Sequence, residues 1–474
     1  MAEQLTEEAR ELIQFLKGRL DDSTSKLRVW DAYYEGTQRL ASLGLSLPPE
    51  MSRLATVINW PRMYVEEVEK RLEIEGFRVT TDTTGEQDRY LLDLWRANRL
   101  HIESSLAHID SLALSHSYIS IGTNADNDEM PLIAIESPYT MYADVSPLTG
   151  EVQSALRLWD FDRNDVARRM TLYTPDETLW ILVNGGNWQV ELHDVHDTGY
   201  VPIVPLVNRA RLRDRMGKPE FIDIMGLTDA ACRSLTNLQG AQELMATPQR
   251  YILGASEDMF QDANGNPIPT WQAYIANILA IPDSAEGASV GQFQSASLDN
   301  YTEVLNTYAR HVSSLTGLPP HFLGLTSENP ASAEAIRNAE ARLVKTVERK
   351  QMQFGSAWSR ALYIASMMAG KDYEPRTIDV IWRNPATPTY GQMADAITKL
   401  VQVGLLDEIT ALEEMGYSPG RIEKIIDRKQ SQGIPGLAAL LEANDSGSTT
   451  VRNGAIEDQQ VSGSDGSSPA EPAS

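Results

Sequence analysis

Cysteine is all but missing from this chain: Cys232 is the only one in 474 residues. One thiol makes neither an internal disulfide nor a cysteine-based zinc centre, so a disulfide-stapled secreted scaffold is excluded. Long apolar runs are missing too. The most apolar windows, such as Ala361–Ala369, fall well short of the about 20 residues that span a bilayer. The N-terminal segment MAEQLTEEARELIQFLK is acidic and carries neither the basic nor the apolar region of a secretory signal. The expectation is a soluble chain made in the cytoplasm, with no membrane partner.

Positive charge is scarce. There are 41 Lys and Arg against 66 Asp and Glu, a formal net charge of −25. A surface that grips nucleic acid through its phosphates needs clustered cations, so tight binding of that kind is disfavoured. Handling DNA without holding it tightly is not excluded.

Signature motifs of common chemistries are absent as well. Gly217-Lys218 and Gly370-Lys371 lack both the upstream glycine and the following hydroxyl of a phosphate-binding loop, and there is no G-x-G-x-x-G or H-E-x-x-H. Gly287-Ala-Ser-Val-Gly291 spells G-x-S-x-G, but the preceding Ile281-Pro282 makes poor strand, and a flexible loop accounts for the glycines. His193-Asp-Val-His196 ends a strand, where this spacing does not keep both rings on one face, and no third ligand stands nearby. No catalytic residue, metal or cofactor is assigned, and the chain is read as not an enzyme.

What is present is ordinary globular material: 42% hydrophobic and 23% charged residues, with a length of roughly three domain-sized units. The spacing predicts a helix beginning after the cap Thr6, with an apolar face from Ala9 to Leu20. Further helices are expected over Lys26–Tyr34, Trp60–Leu72 and Gln87–Ser115. From about Ser117 the period changes to short β-rich runs: Tyr118–Gly122, Leu132–Ile135, Gln153–Leu158, Met170–Thr174 and Leu179–Val183. Trp180–Val190 reads as a hairpin turning at Asn184-Gly185. Residues up to about 210 therefore read as an α+β region with an antiparallel sheet.

A basic patch follows, Arg209, Arg211, Arg213, Arg215 and Lys218, and then a helix opened by Pro219 and running to about Ala246. The patch fits either a loop rim that pairs with neighbouring acid or a docking surface for a phosphate, another subunit or a partner. Between Arg250 and Arg310 there is no Lys or Arg at all, while Glu257, Asp258, Asp262, Asp283, Glu286, Asp299 and Glu303 supply seven acids. The block from Tyr251 to about Gln292 sits like an insert between two helices, the second over about Ser297–Leu315. After a loop, one very long helix is expected from Ser332 to Met368, with Ile336, Leu343, Val347, Phe354, Trp358, Leu362 and Ala365 as its apolar stripe. A strand over Thr377–Trp382 and short helices to about Arg428 follow. From Leu441 the composition falls to Ser, Gly, Asp and Asn, with six acids against Arg452 alone, and reads as a disordered tail. Helices this long cannot bury their stripes alone, and neighbouring copies of the same chain are the natural cover.

In this order the chain resembles the portal proteins of long-tailed double-stranded-DNA bacteriophages. The resemblance runs from about Lys26 to Arg428. Its anchors are Gly199-Tyr-Val-Pro-Ile-Val-Pro205 with Asn208, Gly217-Lys-Pro-Glu-Phe221, Ser314-Leu-Thr-Gly-Leu-Pro-Pro320, Asn329-Pro-Ala-Ser-Ala-Glu-Ala-Ile336 and Ile381-Trp-Arg-Asn-Pro-Ala-Thr-Pro388.

The resemblance implies a mainly helical, elongated α+β subunit. Residues 1–218 would be an antiparallel-sheet wing, 219–250 and 293–318 the stem helices, and 251–292 a small α/β clip. Residues 319–392 would hold the tunnel loop (Thr326, Ser327, Glu328, Asn329, Pro330, Ala331 and Ser332), the long helix and the wing return. Residues 393–440 would be a helical crown and 441–474 an acidic tail. It implies a ring, dodecameric in most such proteins, at one capsid vertex of the virion, through which double-stranded DNA passes without sequence specificity. Implied partners are the terminase large subunit, the major capsid and scaffolding proteins, and a head-tail adaptor.

Residue chemistry adds one reason of its own. A wall that paired with every phosphate would hold DNA at each step, whereas an acidic lumen keeps contacts sparse. The seven acids are therefore expected to line the channel. The rival readings are a magnesium-dependent nuclease or hydrolase built on the same acids, and another ring-forming head-closure protein.

Overall fold

The computed structural model describes residues 5–38, 56–80, 87–184, 187–196, 198–245, 250–253, 278–281, 289–292, 298–325, 333–386, 390–417 and 419–432. Half of the chain is helical and the sheets are largely antiparallel, an α+β fold. The chain divides into two compact units, residues 1–386 and 387–474.

The first helix, α1 (Glu7–Glu35), is continuous where the sequence suggested two. Ser23 and Thr24 do not cap a new helix; both hydroxyls donate back to the Leu20 carbonyl, at 2.8 and 2.9 Å, and are satisfied in place. Thr6 caps its start by accepting from the Ala9 amide, and Gly36, at φ 69°, ends it. Conversely, the stretch expected as one helix over 87–115 is broken into α3 (Arg89–Ala97) and α4 (Leu100–Leu114). Asn98 makes the break: its amide donates to the carbonyls of Leu94 and Pro131, and its oxygen accepts from the Ile133 amide. The next residue, Arg99, takes φ 56°. Helix α2 spans Trp60–Glu69, with Pro61 in its first turn.

Three sheets form the body of the first unit. Strands β4 (Met141–Val145), β5 (Val152–Phe161), β6 (Ala167–Tyr173), β7 (Glu177–Asn184) and β8 (Asn187–Val195) make an antiparallel meander. The expected hairpin is its last pair, with Asn184 opposite Asn187. Ile13 and Leu16 of α1 cover one face of this sheet, packing with Leu156, Leu172 and Ile181. Strand β2 (His116–Gly122) lies between β3 (Leu132–Glu136) and β9 (Ile203–Val207). Strand β1 (Ile74–Val79), which the sequence reading missed, pairs with the distant β13 (Ile378–Trp382).

The remaining elements follow the expected order. Helix α5 (Met225–Met245) leads to β10 (Arg250–Leu253), which has β11 (Ile278–Ile281) parallel on one side and β12 (Ser289–Gln292) antiparallel on the other. Helix α6 (Asp299–Thr316) returns, and α7 (Ala333–Met368) is 36 residues long, about 54 Å. Its buried stripe includes Leu343, Val347, Phe354, Trp358, Leu362 and Ala365, all essentially inaccessible within the one chain, so residues of its own core such as Trp95 and Phe221, and not neighbouring copies as expected, cover this stripe. In the second unit lie α8 (Tyr390–Gln402), α9 (Glu408–Glu414) and α10 (Pro419–Gln432), with Lys429 of the last paired to Glu408.

The largest core centres on α7. Trp358 packs edge-on to Trp95, and its indole Nε1 donates to His108 Nε2 at 3.0 Å, which requires a neutral imidazole. Burial pushes the His108 pKa down to about 3, and that of the buried His116 down to about 4. Both lie below the ordinary 6.5, so the unfolded chain takes up their protons first as pH falls. Stability is complete above about pH 6.5 and is lost below it, by about 2 kcal/mol per histidine at pH 5. Urea titrations from pH 7 to pH 5 are expected to show this decline, and a flat profile would contradict the neutral, buried assignment.

Candidate functional site

Lys350 breaks the apolar stripe of α7. Val347, Lys350 and Phe354 follow at steps of three and four, so the lysine points into the core with the hydrophobic residues around it. A buried ammonium is tolerable only when paired. Its partner is Glu220, whose carboxylate lies 2.7 Å away, both side chains being about 95% buried.

The local sequence explains how Glu220 arrives there. Asn208 follows β9, and its side chain donates to the Lys218 carbonyl at 2.9 Å while the Lys218 amide donates to the Asn208 carbonyl at 3.0 Å. Gly217, at φ +74°, lets the two segments touch; a Cβ there would lie 2.0 Å from the Asn208 carbonyl oxygen. Pro219 follows, and the Glu220 amide donates to the Leu112 carbonyl at the end of α4. The side-chain oxygen of Asn208, left over from this clasp, accepts from Lys350.

A third element closes the cluster. The Tyr64 hydroxyl on α2 is within hydrogen-bonding distance of Glu220 Oε1 (3.1 Å) and of the Thr316 carbonyl (3.3 Å), the last residue of α6. Burial, reinforced by the Glu220 charge, raises its pKa well above the phenol range, so it stays a donor. Glu220 stands at the approach to α5 and Thr316 at the exit of α6. One tyrosine, one carboxylate and one lysine thus clamp the place where two helices leave and rejoin the body. Beside Lys350, the Gln351 amide donates to the carbonyls of Arg71 and Arg383, tying α7 to the residues flanking β1 and β13.

Burial alone would raise the Glu220 pKa, but the Lys350 charge and hydrogen bond, with Arg209 behind them, outweigh it and hold the carboxyl below its usual range. Lys350 is pulled down by burial, with Arg209 and Arg349 adding to that pull and Glu220 opposing it. The pair is ionised at neutral pH.

Helix α5 is held along its length as well. Tyr33 donates to Asp229 at 2.7 Å, and Thr56 donates to Gln239 at 2.7 Å. Cys232, the lone cysteine, is fully buried with its sulfur accepting from the Ile58 amide. Burial raises its thiol pKa, which makes it a packing residue.

The residues singled out from the sequence are placed as follows. Asp299 and Glu303 lie four apart on one exposed face of α6. Glu257, Asp258, Asp262, Asp283, Glu286 and the loop Thr326–Ser332 lie outside the described residues. In the basic patch, Arg209 pairs with Asp223 at 2.6 Å and Arg215 donates to the Pro147 carbonyl. Arg211, Arg213 and Lys218 make no ion pair among the described residues, and 210–215 is exposed around a bridge between Arg211 and Asp214. Ser289 begins β12 opposite Leu253 and so is not at a strand-to-helix turn. His193 meets Glu177 at 2.7 Å, and His196 meets Thr198. Among the described residues no group of three His, Cys, Asp or Glu side chains is placed to hold a metal ion.

The sequence reading missed Tyr64, Glu220 and Lys350. The available signal was a lysine at core spacing inside an otherwise apolar stripe. Removing one member should cost far more than removing both. Lys350→Met is expected to lower unfolding free energy by about 3–5 kcal/mol in denaturant titrations. Adding Glu220→Gln should restore at least about 1 kcal/mol. Losses that simply add would contradict the pairing.

Residues 13–425 match the family described as phage portal protein, SPP1 Gp6-like. A portal protein of Mycobacterium phage D29 is 38% identical over 433 residues, covering 89% of this chain and 88% of its own. One of Mycobacterium phage L5 is 37% identical over the same length, with the same coverage. A chain from a solved structure titled virion of native gene transfer agent particle covers 78% of this chain and 94% of its own, at 14% identity and a TM-score of 0.43.

Proposed function

The chain belongs to the SPP1 Gp6-like family of phage portal proteins, and from that premise we propose that identical copies form a closed ring at one capsid vertex, with double-stranded DNA passing through its centre. The observation that carries the reading is the identity to named portal proteins over nearly nine-tenths of the chain. Membership identifies a structural family and a virion component. Among the described residues no helix is long and apolar enough to cross a membrane.

In this reading residues 1–218 form the wing, α5 and α6 the stem, and 251–292 the clip. Residues 319–392 carry the tunnel loop and wing return, 393–440 the crown, and 441–474 an acidic appendage. The clip meets the terminase large subunit during packaging and a head-tail adaptor afterwards, and the outer surface meets capsid and scaffolding proteins. The chain itself performs no catalysis. Its task is mechanical: to keep a wide passage open while DNA slides.

Asp299 and Glu303 support the channel assignment, being exposed, acidic and on one face of α6. Phosphates repelled by such a wall make few lasting contacts, so movement is not arrested at each base pair. The clamp at Tyr64, Glu220 and Lys350 then has a use: it fixes the angle at which both stem helices leave the wing, which a ring of identical copies must hold constant to close.

Light scattering with negative-stain micrographs of the purified chain tests the proposal. Annular particles with a central hole, many times the 52.6 kDa of one chain, are expected. A monomer that cleaves DNA in the presence of magnesium would overturn the portal reading in favour of a nuclease.

A further inference from the structure

The clamp leaves one neighbouring feature unexplained. Beside Lys350 opens a cavity of about 700 Å3 whose walls carry Arg209, Arg211, Lys218, Arg342, Lys345 and Arg349. Two carboxylates stand against them, and both are already spent: Glu220 on Lys350 and Asp223 on Arg209. Arg342 donates to the Ser314 carbonyl, and Lys345 reaches Glu348 on its own helix at the surface. Arg211, Lys218 and Arg349 have no ion pair among the described residues. In a chain of net charge −25, so much uncompensated positive charge in one hollow is a strong departure. It also acts inward, since Arg209 and Arg349 both work against the charge on the buried lysine.

The rim distinguishes between anions. Leu315 lines the cavity and is 57% exposed. A phosphate ion or a duplex backbone would answer the cations and leave this leucine in water. A protein surface bearing carboxylates beside apolar side chains covers it. Arginine forks bind carboxylates in paired, directional hydrogen bonds, and a hollow of this size admits several side chains. Each further copy of this chain brings a surplus of 25 negative charges.

We propose that an acidic segment of a second copy seats in this cavity. Each copy then offers its basic hollow to one neighbour and its carboxylates to the other, a head-to-tail contact of the kind that closes a ring when its rotation divides the circle evenly. The inference rests on the ring reading above and adds the site where one copy completes the next.

Rings assembled from equal amounts of unlabelled and 15N-labelled chain and treated with a water-soluble carbodiimide test it directly. The reagent condenses a lysine amine and a carboxylate in contact into an amide, taking up the water lost. Mass spectrometry is expected to find Lys218 or Lys345 of one isotope joined to an Asp or Glu of the other. Arg342→Glu with Arg349→Glu should reduce the ring fraction at fixed concentration at least about tenfold, with the circular dichroism of the remaining monomer unchanged. Rings that carry no mixed-isotope link at either lysine, or a charge-reversed chain that assembles as well as the wild type, would overturn this contact alone. Absence of rings in the wild type would overturn the ring reading and this contact with it.

Discussion

A carboxylate and an ammonium held together out of water decide how this molecule is joined. Glu220 and Lys350 are far apart in sequence, and neither can be buried without the other. Replacing the whole cluster by well-fitted apolar residues would not necessarily weaken the fold, because a buried ion pair is costly to desolvate. Its contribution is direction. Apolar contacts let helices slide past one another, whereas a lysine that must meet Glu220 and Asn208 fixes both the register of the 36-residue helix and the course of the chain approaching α5.

The rest of the first unit is arranged around that constraint. Gly217 permits the clasp with Asn208 that delivers Glu220, and Tyr64 extends the clamp to Thr316 at the far end of the helical excursion. The adjacent Gln351 carries the same helix to the β1–β13 pair. The β2–β9 strands, helices α5 and α6 and the long helix α7 therefore meet at one buried polar knot. For a portal subunit this is a sensible division: packing supplies cohesion, and the knot supplies angle. The positive charge gathered just outside it gives the same place a second task, receiving the neighbour.

Much of this was legible in the sequence, for identifiable reasons. The stripe Leu343, Val347, Phe354, Trp358, Leu362 and Ala365 repeats at helical spacing with no proline inside it, and the observed helix, Ala333–Met368, matches the span expected from Ser332 to Met368. The hairpin at Asn184 was equally plain, because its turn chemistry is local. Errors arose where distant residues override local preference. Asn98 breaks a helix only because Pro131 and Ile133 are there to be bonded, and β1 is a strand only because β13 lies beside it. The clamp was invisible for the same reason, although its parts were not: Asn208, Gly217, Glu220 and Thr316 all fall within the stretches that carried the portal resemblance. Those stretches are alike in bringing the chain to one point.

The clamp's reach is measured most directly by hydrogen–deuterium exchange in Tyr64→Phe, which removes one hydroxyl and leaves the ring in place. If the clamp holds both helices, amides at the start of α5 and at the end of α6 should exchange faster together, along with Gly317 and Leu318. Faster exchange confined to the surroundings of residue 64, with both helix ends unchanged, would contradict the account.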